Sequence, residues 1–401
     1  MGDIKGNVMK ILIFTTQFYE LNGAERLAVE LAEELNKRRF HADILSQYTG
    51  DLSGVAEAKQ DLLNRGIPNV HFLGMKIHPP ITSLLLAICK LRRLIRENKY
   101  DIVETSMISP TVIAAWATRG TQARHVAGLH NVFVKDRYNC TKCKFWRFSV
   151  RRNPQVFFYA ISEYAKRHWI EYSRTPLEHT RTIYNGIPND CFDAIPDREA
   201  VCKELKIPSG ATVALFVGRM LKRKGIDTIL DGLGPIFHSK NLYLVYVGGW
   251  DQPPEGFFPD EVGLLERMKE RIGYEGWTDR VRFLGRRNDV PRLMASADVL
   301  VHPARIEGFG LVLAEAMAAG LPVVASSVHG IPEVLAGTDS IMVPPDDAEA
   351  LREAVVNVLH RSPEESLISI DKGRKRAQAF RNNKRTDATI ALFEDALTGR
   401  F

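Results

Sequence analysis

Short runs of β-branched and aromatic residues alternate with helical patterns from one end of this chain to the other. No other feature of the sequence restricts its folding as much. Strands that are separated by helices do not form tight hairpins, and this alternation is the signature of parallel sheets with helices covering both faces. In the first half the expected strands are 10–15, 42–46, 102–104, 125–128, 156–161 and 182–184. A second series follows Pro196, at 213–218, 243–248, 281–285, 299–302, 323–326 and 341–343. The two series meet near Asn185-Gly-Ile-Pro-Asn189. The pattern predicts an α/β chain of two doubly wound, Rossmann-like parallel-sheet domains facing a cleft. In such sheets ligands bind beyond the carboxyl ends of the strands, where the strand order reverses.

Length agrees, since 401 residues exceed what one hydrophobic core usually serves. The expected division is an N-terminal domain over 1–190, a C-terminal domain over 191–383, and a terminal helix over 384–401 that crosses back to the N-terminal domain. Formal charge is +6 overall, yet up to Asp190 there are 27 basic against 18 acidic residues, and beyond it 27 against 30. The basic excess therefore belongs to the first domain and points it toward an anionic surface or ligand. Five cysteines without regular spacing exclude a disulfide framework and fit a reducing, cytoplasmic location. No apolar run approaches the ~20 residues of a membrane span. The stretch from Ile81 into Lys90-Leu-Arg-Arg-Leu-Ile-Arg96 places Leu84, Leu85, Ile88, Leu91 and Ile95 at helical spacing, which predicts an amphipathic helix.

Two segments carry chemistry. In the stretch from Pro303 through Glu307-Gly308-Phe309-Gly310-Leu311 to Glu315 and Gly320, a strand ends and an Ala-rich helix begins at about Leu311. The glycines permit close backbone approach, and the helix start offers N–H groups and a positive dipole end to an anion. Glu307 precedes this helix and Glu315 lies one turn inside it, so the pair can grip hydroxyls at two ends of one ligand. The other segment, Val217-Gly218-Arg219-Met-Leu-Lys-Arg-Lys224-Gly225, follows the first strand of the same domain. It sets a guanidinium and an ammonium where they can neutralise a diphosphate leaving group. There is no Asp-x-Asp pair to hold a divalent ion, so no metal is expected.

With its glutamates eight apart, Glu-Gly-Phe-Gly…Glu, together with Gly-Arg-(x4)-Lys-Gly, resembles the retaining glycosyltransferases of family four, which have the GT-B fold. The first half agrees in order. Asn22-Gly23-Ala24-Glu25-Arg26 is similar to the family's Gly-Gly-Ala-Glu loop, with asparagine in place of its first glycine. Leu129-His130-Asn131 is similar to its Thr-His-Asp segment, and Tyr184-Asn185-Gly186 to its Asn-Gly hinge. The resemblance implies an acceptor-binding first domain and a nucleotide-sugar-binding second domain. It implies that Arg219 and Lys224 hold the diphosphate, beside Gly218, and that Glu315 binds the ribose. Glu307 would bind the transferred sugar, helped by backbone N–H groups of Phe309, Gly310 and Leu311 after Gly308. Gly23 would approach the phosphate, His130 a sugar hydroxyl, and Arg286 in Gly285-Arg286-Arg287 would help frame the base. Glu25 is read as a support for its loop.

The expected activity is transfer of a hexose, glucose from UDP-glucose for choice, to a saccharide or lipid-linked saccharide in cell-surface or extracellular polysaccharide synthesis. The nucleotide sugar is a co-substrate, and no cofactor is expected. Transfer to a small soluble acceptor and a silent nucleotide-sugar-binding protein are the alternatives. Cys140-Thr-Lys-Cys143 has zinc-ligand spacing but no second cysteine pair. The basic-aromatic stretch from Lys142 to Arg152, with Phe145, Trp146 and Phe148, fits either a helix lying on anionic lipid at the inner face of the membrane or an amphipathic helix with its aromatics in the core. No nucleic-acid module accompanies it.

Overall fold

A computed structural model describes residues 8–18, 23–48, 54–76, 81–130, 132, 141–151, 153, 156–173, 180–249 and 263–400. The chain forms two compact units, one of residues 1–186 with 382–401 and one of residues 187–381.

The first unit is built on a parallel sheet of β1 (Lys10–Thr15), β2 (His41–Tyr48), β3 (Val70–Met75), β4 (Ile102–Thr105), β5 (Arg124–Leu129), β6 (Val156–Ala160) and β7 (Thr180–Thr182). Its order is β3-β2-β1-β4-β5-β6-β7. Alternation along β1 divides the core. Ile11 and Ile13 pack with Ala28, Val29 and Leu31 of the helix Gly23–Lys37, whereas Leu12 and Phe14 pack with Leu91, Ile95 and Ile113 on the opposite face. Side chains of a strand point alternately to its two faces, so a strand covered on both sides reads as one continuous apolar run. The last helix, Asn382–Thr398, adds Leu392, Phe393 and Ala396 to the cluster that holds Ile11 and Ile13.

Three expectations need correction. β3 was not expected, because His71 and Gly74 interrupt its apolar run; it is an edge strand and needs less apolar sequence. The strand expected at 182–184 lies two residues earlier, at Thr180–Thr182. In the helix Ile81–Asn98, Leu91 and Ile95 are fully buried, each contributing roughly 1.5–3 kcal/mol, but Leu85 is exposed. Ala87 takes the inward position instead, two residues further along.

The second unit holds β8 (Thr212–Val217), β9 (Leu242–Val247), β10 (Val281–Phe283), β11 (Val299–His302), β12 (Val323–Ser326) and β13 (Ile341–Val343). All six expected strands of this series are present. The order β10-β9-β8-β11-β12-β13 is parallel throughout and reverses between β8 and β11. The chain enters and leaves this unit at neighbouring points, where the Ile187 N–H donates to the Phe380 carbonyl at 2.7 Å. On the other side of the crossing, a Cβ on Gly186 would lie 2.1 Å from Asn382 Oδ1. This close approach explains the glycine of the Asn-Gly segment.

Candidate functional site

The reversal between β8 and β11 brings the two chemistry-bearing segments together. β8 ends at Val217, and Gly218 follows with φ 154°, a conformation that other residues rarely adopt. A Cβ on the facing Gly248 would lie 1.8 Å from the Gly218 carbonyl oxygen, so the ends of β8 and β9 meet backbone to backbone. Beyond exposed Arg219 the chain makes a short 3₁₀ turn at Lys222–Lys224, and Gly225, at φ 71°, starts the helix Ile226–Leu233.

That turn is fastened to the loop after β11. A Cβ at Gly225 would lie 2.0 Å from the Pro303 carbonyl oxygen. The Arg305 N–H donates to the Arg223 carbonyl at 2.9 Å. Its guanidinium donates to Asp227 at 2.7 and 3.1 Å, to Thr228 at 3.2 Å and to the Lys222 carbonyl. Arg305 thus fixes the turn that presents Lys224. Planar and able to donate five hydrogen bonds, a guanidinium suits such a clamp better than an ammonium would.

The clamp places Lys224 Nζ 2.5 Å from Glu307 Oε2, and His302 Nε2 lies 3.2 Å from the same oxygen. Burial alone would raise the Glu307 carboxyl. The Lys224 charge and the His302 hydrogen bond outweigh it and hold the group well below the usual carboxylate range. Burial lowers the pKa of His302 more than Glu307 raises it, and the Lys224 charge opposes its protonation too. His302 is therefore neutral and donates from Nε2, and its Nδ1 has no hydrogen-bond partner among the described residues. The result is an ionised carboxylate in a fixed orientation at the carboxyl end of β11.

Gly308 and Gly310 flank Phe309, which is buried edge-on against Phe380 with ring centroids 5.3 Å apart. Gly310, at φ 87°, caps the helix Leu311–Ala319, whose first-turn N–H groups have no acceptor within the helix. Glu315 is buried one turn in. Gly330 closes the loop from behind: a Cβ there would lie 2.2 Å from the Gly308 carbonyl oxygen. Arg286 is exposed after β10, beside Gly285, whose carbonyl accepts from the Gly248 N–H at 2.8 Å.

Gly218, Arg219, Lys224, Arg286, Glu307, Gly308, Phe309, Gly310, Leu311 and Glu315 all belong to the second unit, whereas Gly23 and His130 belong to the first. Gly23 begins the helix Gly23–Lys37, and Glu25 in its first turn is buried and accepts from Thr16 Oγ1 at 3.0 Å, a loop support. His130 follows β5, with Nε2 3.2 Å from the Tyr159 hydroxyl. Asn22, Asn131 and Cys140 lie outside the described residues.

Sequence reasoning missed His302 and Arg305. Both lie within five residues of Glu307, and both act through contacts to side chains or backbone that the fold alone brings near. In the basic-aromatic helix Thr141–Arg151, Trp146 is a core residue, 4.6 Å from the Trp169 ring, while Phe145 and Phe148 are exposed. The reading that put all three aromatics on one surface is corrected to two. Residue 152 and the side chains of 142 and 143 lie outside the described residues.

Residues 21–190 match Glycosyltransferase Family 4, and residues 211–361 match Glycosyl transferases group 1. The chain belongs to the family-four glycosyltransferases. One relative of this family-four chain is the lipopolysaccharide core biosynthesis mannosyltransferase LpsB of Rhizobium meliloti (strain 1021), 28% identical over 219 residues, which are 54% of this chain and 60% of that protein. Another is the lipopolysaccharide glucosyltransferase WaaG of Escherichia coli (strain K12), 33% identical over 175 residues, 43% of this chain and 44% of that protein. These matches span 60% and 44% of the relatives' lengths. Among solved structures, Anabaena Alr3699/HepE in complex with UDP superposes with a TM-score of 0.81 at 22% identity, covering 96% of this chain and all of that one, which shows the GT-B fold.

Proposed function

We propose that this family-four chain transfers a hexose from a nucleotide sugar, UDP-glucose being the best candidate, to a saccharide or lipid-linked saccharide acceptor during assembly of a cell-surface or extracellular polysaccharide. The observation that carries this reading is the Lys224–Glu307–His302 cluster at the strand-order reversal of the second unit, with Arg219 on the same connection after β8 as Lys224 and a helix starting at Leu311. The cations and the helix start answer the two phosphates of a nucleoside diphosphate. Glu307, kept ionised, answers the hydroxyls and the developing positive charge of the sugar. Ribose falls to Glu315. Support for the donor comes from Alr3699/HepE, which has been solved with UDP-glucose, and for the acceptor class from LpsB and WaaG.

The reaction proposed is retaining and needs no metal. The bond from the sugar's anomeric carbon to the diphosphate oxygen breaks, and that oxygen takes the proton of the acceptor hydroxyl. The acceptor oxygen then bonds to the same face of the sugar. Lys224 and Arg219 stabilise the departing charge, as a preorganised electrostatic site does. Glu307→Ala should abolish transfer while UDP still binds by calorimetry; unchanged turnover would sink the assignment. Transfer that persists in chelator supports the metal-free route, and its loss would overturn that part.

Among the described residues no helix is long and apolar enough to cross a membrane. The acceptor side of the proposal is peripheral contact at the cytoplasmic face. Its support is a set of neighbouring helices in the first unit, Ile81–Asn98, Ile108–Ala117 and Thr141–Arg151, that expose Leu85, Leu86, Phe145 and Phe148 alongside Arg96, Lys144 and Arg151. Exposed apolar residues among cations suit an anionic lipid surface.

A further inference from the structure

The first unit contains a buried polar chain that the donor site does not use. Glu104, the next to last residue of β4, is fully buried. Its Oε1 accepts from the Tyr159 hydroxyl at 2.7 Å and from Ser106 Oγ at 2.9 Å. Tyr159 stands on β6, with β5 between it and Glu104. Its ring can cross because Gly128 of β5 lies directly opposite it. A Cβ at Gly128 would lie 2.5 Å from the Tyr159 hydroxyl oxygen and 2.7 Å from His130 Nε2. Arg385 of the terminal helix, itself buried and donating to the Leu27 carbonyl at 2.9 Å, contributes positive charge to Glu104, Tyr159 and His130.

With Glu104 Oε1 accepting from both hydroxyls, proton counting along this chain has one solution. A tyrosine hydroxyl has a single proton to give. It goes to Glu104 Oε1, and this holds whether the carboxyl is ionised or carries its proton on Oε2, which has no hydrogen-bond partner among the described residues. The hydroxyl oxygen is then an acceptor for His130 Nε2, 3.2 Å away. Burial, with the charge of Arg385, takes the imidazole pKa down to about 3, so the ring is neutral at physiological pH. A neutral ring that donates from Nε2 carries a lone pair on Nδ1.

We propose that Glu104 and Tyr159 are positioning residues that lock His130 as its Nε2–H tautomer, so that His130 offers Nδ1 only as an acceptor for a hydroxyl of the saccharide substrate. The functional half rests on the reading above, in which His130 reaches a sugar hydroxyl; the tautomer does not depend on it. Gly128 makes the lock sterically feasible, and Arg385 ties it to the terminal helix.

The test uses the full chain labelled with ¹⁵N-histidine. A long-range ¹H–¹⁵N spectrum, with the His130 signals identified by their loss in His130→Ala, should show the Nε2–H tautomer. Tyr159→Phe should convert it to a mixture, and Glu104→Gln, which retains an acceptor oxygen, should preserve it. An Nδ1–H tautomer in the wild type, or an unchanged ring in Tyr159→Phe, would overturn the lock. In kinetics Tyr159→Phe should lower kcat about fivefold, as expected for one neutral hydrogen bond, with the donor KM unchanged. Adding it to His130→Ala should cost nothing more. Multiplying losses would show that Tyr159 does not act through His130. Full activity in His130→Ala would overturn the substrate role alone, and a wild type without transferase activity would overturn the reading above while the spectrum still decides the tautomer.

Discussion

Removing Lys224 tests the centre of the site without any substrate. The pair is largely buried, with side-chain exposures of 18% for Lys224 and 16% for Glu307. Deleting one partner of such a pair leaves an uncompensated buried charge, at a cost of about 3–5 kcal/mol. The His302 hydrogen bond to Glu307 survives in Lys224→Ala, so the lower end, about 3 kcal/mol at pH 7.5, is expected. For a unit the size of residues 187–381, this corresponds to a fall of about 6–12 °C in its calorimetric transition. In the wild type the folded Glu307 pKa lies below the unfolded value of about 4.3, so its stabilisation is complete above that pH and is lost as pH falls below it. In the variant, burial acts without the cation and raises the carboxyl pKa. The penalty is then full at pH 7.5 and relieved as the group takes up a proton. His302 also protonates more readily once Lys224 is gone, in the same direction. The gap between wild type and variant should therefore at least halve between pH 7.5 and pH 4. Lys224→Met with Glu307→Gln should recover most of the loss. A gap independent of pH, or losses that simply add in the double variant, would refute the ion pair as described.

Gly225→Ala should destabilise the second unit by at least 2 kcal/mol in thermal unfolding, because φ is 71° and the new Cβ would meet the Pro303 carbonyl at 2.0 Å. Arg219→Ala should weaken UDP binding by about 1.5–3 kcal/mol, roughly 10- to 150-fold in calorimetric Kd, with little effect on folding. Phe145→Ser with Phe148→Ser should reduce sedimentation with vesicles containing phosphatidylglycerol and leave the melting temperature nearly unchanged, since both rings are exposed. Binding that is equal on neutral vesicles would count against the lipid surface.

Parallel pairing, twelve of the thirteen strands and the division into two units were legible because each rests on local patterns. Apolar runs of three to six residues separated by amphipathic helices pack in water as parallel sheets covered on both faces. β3 and Leu85 escaped, because an edge strand tolerates polar interruptions and a helix face is decided by what lies beneath it. The candidate donor residues could be picked out because glycine spacing and charge type are written into contiguous segments, 217–225 and 303–320; their role in donor binding is part of the proposal. The membership of Trp146 in the core was not, since basic-aromatic spacing serves a lipid surface and a core equally well.

What the chain alone supplied is therefore the material of the candidate site: two glutamates, an arginine, a lysine and the glycines that admit close approach. What tertiary structure decided is their chemical state. Arg305 was indistinguishable in sequence from another cation for phosphate, and the fold places its guanidinium on Asp227 and the Lys222 carbonyl. Glu307 became a firmly ionised group only when Lys224, from 83 positions away, came within 2.5 Å. His130 acquired a defined tautomer only when Gly128 let Tyr159 reach across a strand to Glu104. Protonation and tautomer depend on burial and on charges within a few ångströms, and those distances exist only after residues far apart in the chain have been folded together.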